Sequence, residues 1–113
     1  MNLTRLLAAA AVAGMVGAMS PARAADEFET TVVIKDHVFT PTEIKVPAGV
    51  RVILTVDNQD PTPEEFESLE LQVEKIVPGG STAKVRFGPL SAGSYVYVGE
   101  FNEKTARGVV TAE

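Results

Sequence analysis

From Thr30 onward the chain is cut into short stretches by turn-forming residues, and this punctuation limits what it can fold into. Thr30–Lys35 (TTVVIK), Glu43–Val46 (EIKV), Val50–Asp57 (VRVILTVD), Ser68–Val73 (SLELQV), Thr82–Phe87 (TAKVRF), Ser94–Gly99 (SYVYVG) and Gly108–Thr111 (GVVT) are rich in β-branched and aromatic side chains. Several alternate apolar with polar residues, the period of a half-buried strand. Thr40-Pro41, Pro47-Ala48-Gly49, Asn58 to Pro63, Pro78-Gly79-Gly80 and Ser91-Ala92-Gly93 separate them with turn chemistry. No stretch sustains a helical period. Seven short strands at this spacing predict an all-β fold, a Greek-key β-sandwich with antiparallel pairing.

The first residues have a different character. Arg5 precedes an apolar run from Leu6 to Met19, followed by Ser20-Pro21 and the small-residue pattern Ala22-Arg23-Ala24. These are the parts of a secretory signal peptide cleaved after Ala24. A membrane anchor is the rival reading, but the run is about 14 residues where a spanning helix needs about 20. Residues 1–24 are therefore expected to be signal and residues 25–113 a single domain. In a Gram-negative host this places the protein in the periplasm.

Charge and composition narrow the chemistry. The 113 residues carry 10 Lys and Arg against 15 Asp and Glu, net −5, and removing residues 1–24 sharpens this to −7. An acidic chain of this size lacks the basic face that nucleic acid requires. There is no Cys, no Trp and one His. Disulfides, thiolate nucleophiles, iron–sulfur clusters and Cys-ligated metals are thereby excluded. Ser68 has no His near it in sequence to complete a hydrolase triad, and Pro78-Gly79-Gly80-Ser81 is a hairpin turn without the phosphate-loop pattern. Paired glutamates alone do not make a glycosidase without an aromatic platform for sugar.

The acids are concentrated. Asp57, Asp60, Glu64, Glu65, Glu67, Glu70 and Glu74 fall within 18 residues that contain no base before Lys75, and Glu100 and Glu103 lie in the Gly99–Arg107 loop before the last strand. Asn58–Glu67 reads as a loop with two prolines. An acidic run is ordinarily a solvated face, and this suffices for Glu70 and Glu74. Asn58 and Asp60 read as loop caps, and Tyr95 and Tyr97 as strand packing. A lone His such as His37 is ordinarily a hydrogen-bonded surface residue, with a metal role as the alternative.

The order Phe39-x-Pro41, Ile44-x-Val46-Pro47-Ala48-Gly49, Val56-x-Asn58-x-Asp60, Gly93-x-Tyr95-x-Tyr97 and Gly108-Val109-Val110 resembles the cupredoxin framework over roughly residues 28–113. The resemblance implies a metal site at one end, formed by the loop after Asn-x-Asp and the loop before the last strand. Blue-copper members carry His, Cys, His and usually Met there. The matching positions are Glu67, Gly99, Asn102 and Ala106, so a type 1 blue copper centre is not expected. Glu64 to Leu71 and Val98 to Gly108 are similar to the small periplasmic cupredoxin-like proteins of bacterial ferrous-iron uptake systems, in which the E-F-x-x-x-T-A loop often has His where Asn102 stands.

That resemblance implies iron, with copper as a second ion, held by Glu67 and Glu100 with His37, Glu65 and Glu103 as further candidate ligands. It implies an inner-membrane iron permease and other periplasmic uptake components as partners. An oxidase role toward Fe(II) would need a redox-active metal or a second protein. A homodimer could bring a second His37 to the site. The competing expectation is a non-metal interaction module that docks a basic partner through its acidic end.

Overall fold

The computed structural model describes residues 27–113. The signal-peptide reading of residues 1–24 lies outside them. Nine strands are formed among the described residues: β1 (Glu27–Lys35), β2 (Val38–Thr40), β3 (Glu43–Val46), β4 (Arg51–Asn58), β5 (Glu64–Ser68), β6 (Val73–Val77), β7 (Thr82–Phe87), β8 (Gly93–Gly99) and β9 (Arg107–Ala112), with a short 3-10 turn at Glu100–Asn102. They make two sheets, one in the order β2-β1-β4-β7 and one in the order β3-β9-β8-β5-β6. The expected sandwich is present, with pairing that is mixed rather than wholly antiparallel. β1 runs parallel to β4, and β3 parallel to β9.

Alternation places the core. Val32 and Ile34 of β1, Val52, Leu54 and Val56 of β4, Phe66 of β5, Tyr97 of β8 and Val110 of β9 are buried between the sheets. Phe39, Phe66 and Tyr97 form its centre: the Phe66 and Tyr97 rings stack at 4.7 Å, and Phe39 meets Tyr97 edge-on at 5.0 Å. The Tyr97 hydroxyl is buried there without a hydrogen-bond partner among the described residues.

Two segments depart from the sequence expectation. Ser68–Val73 is not one strand: Leu69 to Gln72 form the tight connection between β5 and β6, while Glu64 to Glu67, expected within the loop, are strand. Ser68 explains the turn, because its hydroxyl accepts the Leu71 N–H (3.0 Å) and donates to the Val96 carbonyl (2.7 Å). The second departure is β2, which pairs with β1 through a two-residue turn at Asp36-His37. Both residues adopt left-handed backbone, φ 54° and 59°, as a type I′ turn requires.

One pole of the sandwich gathers the ends of these elements. The Asp36-His37 turn, the end of β4, the start of β5 and the β8–β9 loop all lie there, tied by backbone bonds such as Gln59 N–H to Ile34 C=O and Gly99 N–H to Ala106 C=O, both 2.8 Å.

Candidate functional site

The strand phase of β5 decides which glutamate goes where. Phe66 must point into the core, so Glu64 and Ser68 point inward with it and Glu65 and Glu67 face outward. Glu64 is accordingly buried at 3% exposure at the pole. Its Oε1 accepts the N–H groups of Glu65 (3.0 Å) and Phe101 (2.8 Å), and its Oε2 accepts Asn102 Nδ2–H (2.8 Å). A Cβ at Gly99 would lie 2.7 Å from both the Glu64 Cδ and the Ala106 Cβ. The carboxylate that meets Gly99, Asn102 and Ala106 is therefore Glu64, three residues before the expected Glu67. Alternation counted back from Phe66 is the signal that finds it.

This pole does not fit a type 1 copper ion. The thiolate position is Gly99, with no room for a side chain. The carboxylate that faces it is already engaged by three donors. Nothing soft enough for Cu(I) points inward.

The outward glutamates form a separate arrangement on the exposed face of the five-stranded sheet. Glu67 sits directly across from Glu74 of β6 and beside Val98 of β8. The 3-10 turn after β8 brings Glu100 back over β5. The Glu67 carboxyl beside it is the main cause that pushes Glu100 above the ordinary carboxylate range, with partial loss of hydration and the charge of Glu74 adding to it, while Glu103 acts in the opposite direction. Glu65 is likewise raised, first by partial loss of hydration and then by Glu74 and the neighbouring negative charges. Carboxylates this close retain protons that isolated ones would lose.

A groove of about 330 Å³ opens beside them, with Glu67, Glu70, Glu100 and Glu103 at its rim and Val96 and Val98 among its lining. Glu70 is not merely solvated, because its Oε1 accepts the Val96 N–H at 2.7 Å. A second hollow on the other side of Glu67 is bounded by Gln72, Val73 and Glu74.

His37 is placed elsewhere. Its Nδ1 lies 3.5 Å from Asp60 Oδ2, with the ring 45% exposed. Asp60 also takes the N–H groups of Asp36 (2.6 Å) and His37 (3.0 Å). Burial alone would raise the Asp60 carboxyl, but these two donors and the charges of His37 and Lys35 hold it below the ordinary value. Asn58 caps the same loop: its Oδ1 accepts Asp60 N–H, and its Nδ2 donates to the carbonyls of Thr62 and Val77. Thus Glu67, Glu100 and Glu103 line one groove, Glu65 faces the same side two residues before Glu67 and diagonal to Glu74, and His37 is committed to Asp60. Among the described residues no group of three or more His, Asp or Glu side chains is placed to hold a metal ion.

The comparisons agree with this architecture. Residues 7–112 match a family model described as "Cupredoxin-like domain". A Rickettsia prowazekii (strain Madrid E) protein, itself uncharacterized, is 39% identical over 82 residues, which span 73% of this chain and 66% of that protein, just under two thirds of its length. Among solved structures, the metal binding domain of a Streptococcus pneumoniae Cu(I)-exporting P-type ATPase, solved with Cu(I), superposes with a TM-score of 0.70 at 16% identity, over 88% of this chain and 99% of that one. A copper binding protein in its apo form gives 0.69 at 23% identity, over 86% and 100%. Auracyanin B gives 0.66 at 17% identity, over 87% and 94%.

Proposed function

Because the chain belongs to the cupredoxin-like domain family, we propose that it is an exported metal-binding protein whose cation is held on the outer face by Glu67 and Glu100 rather than at the pole. The observation that carries this reading is the convergence of Glu67 of β5 with Glu100 and Glu103, from the segment after β8, on the rim of one groove. A cation would relieve the repulsion among the crowded carboxyls.

The donor set is all oxygen. Such sites suit iron, manganese or calcium and accept Cu(II) less readily without an imidazole. Together with the resemblance of the β5 and β8–β9 segments to ferrous-iron uptake proteins, this favours iron as the cargo. An inner-membrane permease would be its recipient and other periplasmic uptake components its neighbours. Binding and release of the ion is the role that the oxygen donors support; oxidation of Fe(II) would need a redox-active metal or a second protein. His37, engaged with Asp60, takes no part in one chain.

A second reading is favoured by the groove itself. Val96 is 57% and Leu69 87% exposed beside the glutamates, a surface suited to a basic, partly apolar segment of another protein. Calorimetric titration with Mn(II), anaerobic Fe(II), Fe(III) and Cu(II) separates the two readings. We expect saturable binding, weakened at least about tenfold by Glu67→Ala or Glu100→Ala and unaffected by His37→Ala. Absence of saturable binding, or binding indifferent to both glutamate changes, favours the docking reading.

A further inference from the structure

Glu64 has no part in the outer site, yet a buried carboxylate needs compensation for leaving water. Its compensation is specific. Two of its three donors, Phe101 N–H and Asn102 Nδ2–H, belong to the 3-10 turn that carries Glu100, and the third is its own neighbour Glu65. Three donors and no acceptor face it, the arrangement that acceptor-only chemistry demands. Beyond the turn's own 3-10 bonds, its far end is held by Ala106 N–H and Thr105 N–H, which donate to Asn102 C=O. Its near end, at Phe101, is bound to the sandwich through Glu64.

We infer that Glu64 stands in for a metal ion as the organiser of the β8–β9 loop, and is the positioning residue that sets Glu100 against Glu67. In its cation arm this inference rests on the function proposed above. The pole is closed by a side chain of the protein itself, so the loop is ordered before any cation arrives. Glu64 fixes where Glu100 stands without touching the ion.

The test uses amide hydrogen exchange at Phe101 and Mn(II) affinity, both measured on the mature chain. Asn102→Asp is nearly isosteric and sets a carboxylate against the Glu64 carboxylate. We expect Phe101 exchange to accelerate about tenfold or more at neutral pH. Adding Glu64→Gln to Asn102→Asp restores the bond with donor and acceptor exchanged, and should restore protection to within a few-fold of wild type. Mn(II) affinity should fall with the first change and recover with the second.

Phe101 protection that ignores Asn102→Asp, that is absent in the metal-free wild type, or that the double change fails to rescue overturns the inference. So does protection lost with Mn(II) affinity unchanged. If protection follows the expected pattern while Mn(II) fails to bind even the wild type, the organising role of Glu64 is upheld and the cation reading falls.

Discussion

Replacing Asp60 by alanine should cost this fold about 3 kcal/mol at neutral pH. The carboxylate accepts two backbone N–H bonds, at 2.6 and 3.0 Å, from consecutive residues in left-handed conformation. A hydrogen bond to a charged group contributes about 1.5–3 kcal/mol. The turn is partly open to water, so the lower figure applies twice. Each left-handed residue already costs about 1 kcal/mol, and without Asp60 nothing in the turn offsets it. Against a total stability of about 5–15 kcal/mol this is a large loss. With a urea dependence of about 1.5 kcal/mol per molar, the unfolding midpoint should fall by about 2 M with its slope unchanged.

Two controls isolate the cause. His37→Gly removes the partly exposed ring pairing but keeps the N–H in a residue suited to φ 59°, so it should change stability by less than about 1 kcal/mol. The pH dependence gives the second. The Asp60 carboxyl lies below its ordinary value of 3.8 in the folded protein. Its contribution is therefore complete above that ordinary value and is lost as pH falls through the lower folded one. The gap between wild type and Asp60→Ala should be constant from about pH 7 to pH 5 and close below about pH 4. A loss under about 1 kcal/mol at pH 7, or a gap that persists in acid, would refute the clamp.

The outer glutamates should give the opposite pH slope. Glu65 and Glu100 are raised above 4.5 in the folded protein, so the native state binds protons more tightly than the unfolded chain and stability rises as pH falls from neutral toward 4.5. Urea midpoints across that range should show the rise in wild type and a flatter profile in Glu100→Gln. Gly99→Ala should cost about 1–3 kcal/mol, because the added methyl would meet Glu64 and Ala106 at 2.7 Å; its thermal midpoint, set against that of the wild type, measures the local crowding.

The sandwich was legible because its core strands are locally consistent. VRVILTVD and SYVYVG carry β-branched and aromatic residues at the positions that the sheets bury, and Gly or Pro marks their ends. The stretch from Glu64 to Val77 was not legible, for a physical reason. Leu69, Leu71 and Val73 alternate with Glu70, Gln72 and Glu74 as a half-buried strand would, so the local period reads as strand although Leu69 lies in a turn; within the period, only the change of phase between Phe66 and Leu69 marks the break. The cue was Ser68, whose hydroxyl closes that turn. β2 escaped for another reason, since the carboxylate that holds the Asp36-His37 turn comes from Asp60, 24 residues away from Asp36. Glu67 and Glu100 were paired through the cupredoxin resemblance, which sets the loop after Asn-x-Asp against the loop before the last strand, and both line one groove. Placing Glu67 at the pole missed the strand phase that puts Glu64 there.

The two carboxylate arrangements are consequences of one another. With Gly99 in place of a bulkier residue, the pole has volume for a glutamate side chain from β5, and Glu64 fills it. Filling it ties Phe101 and Asn102 down, and this tie fixes the 3-10 turn over β5. Strand alternation then obliges Glu65 and Glu67 to face outward, next to the Glu100 that the turn delivers. A metal at the pole would have needed inward ligands and would have left the outer face free to vary. A side-chain plug at the pole instead makes the geometry of the outer acids independent of any ion bound inside. The closed pole and the crowded outer face are thus two sides of the same strand, set by the phase of Phe66.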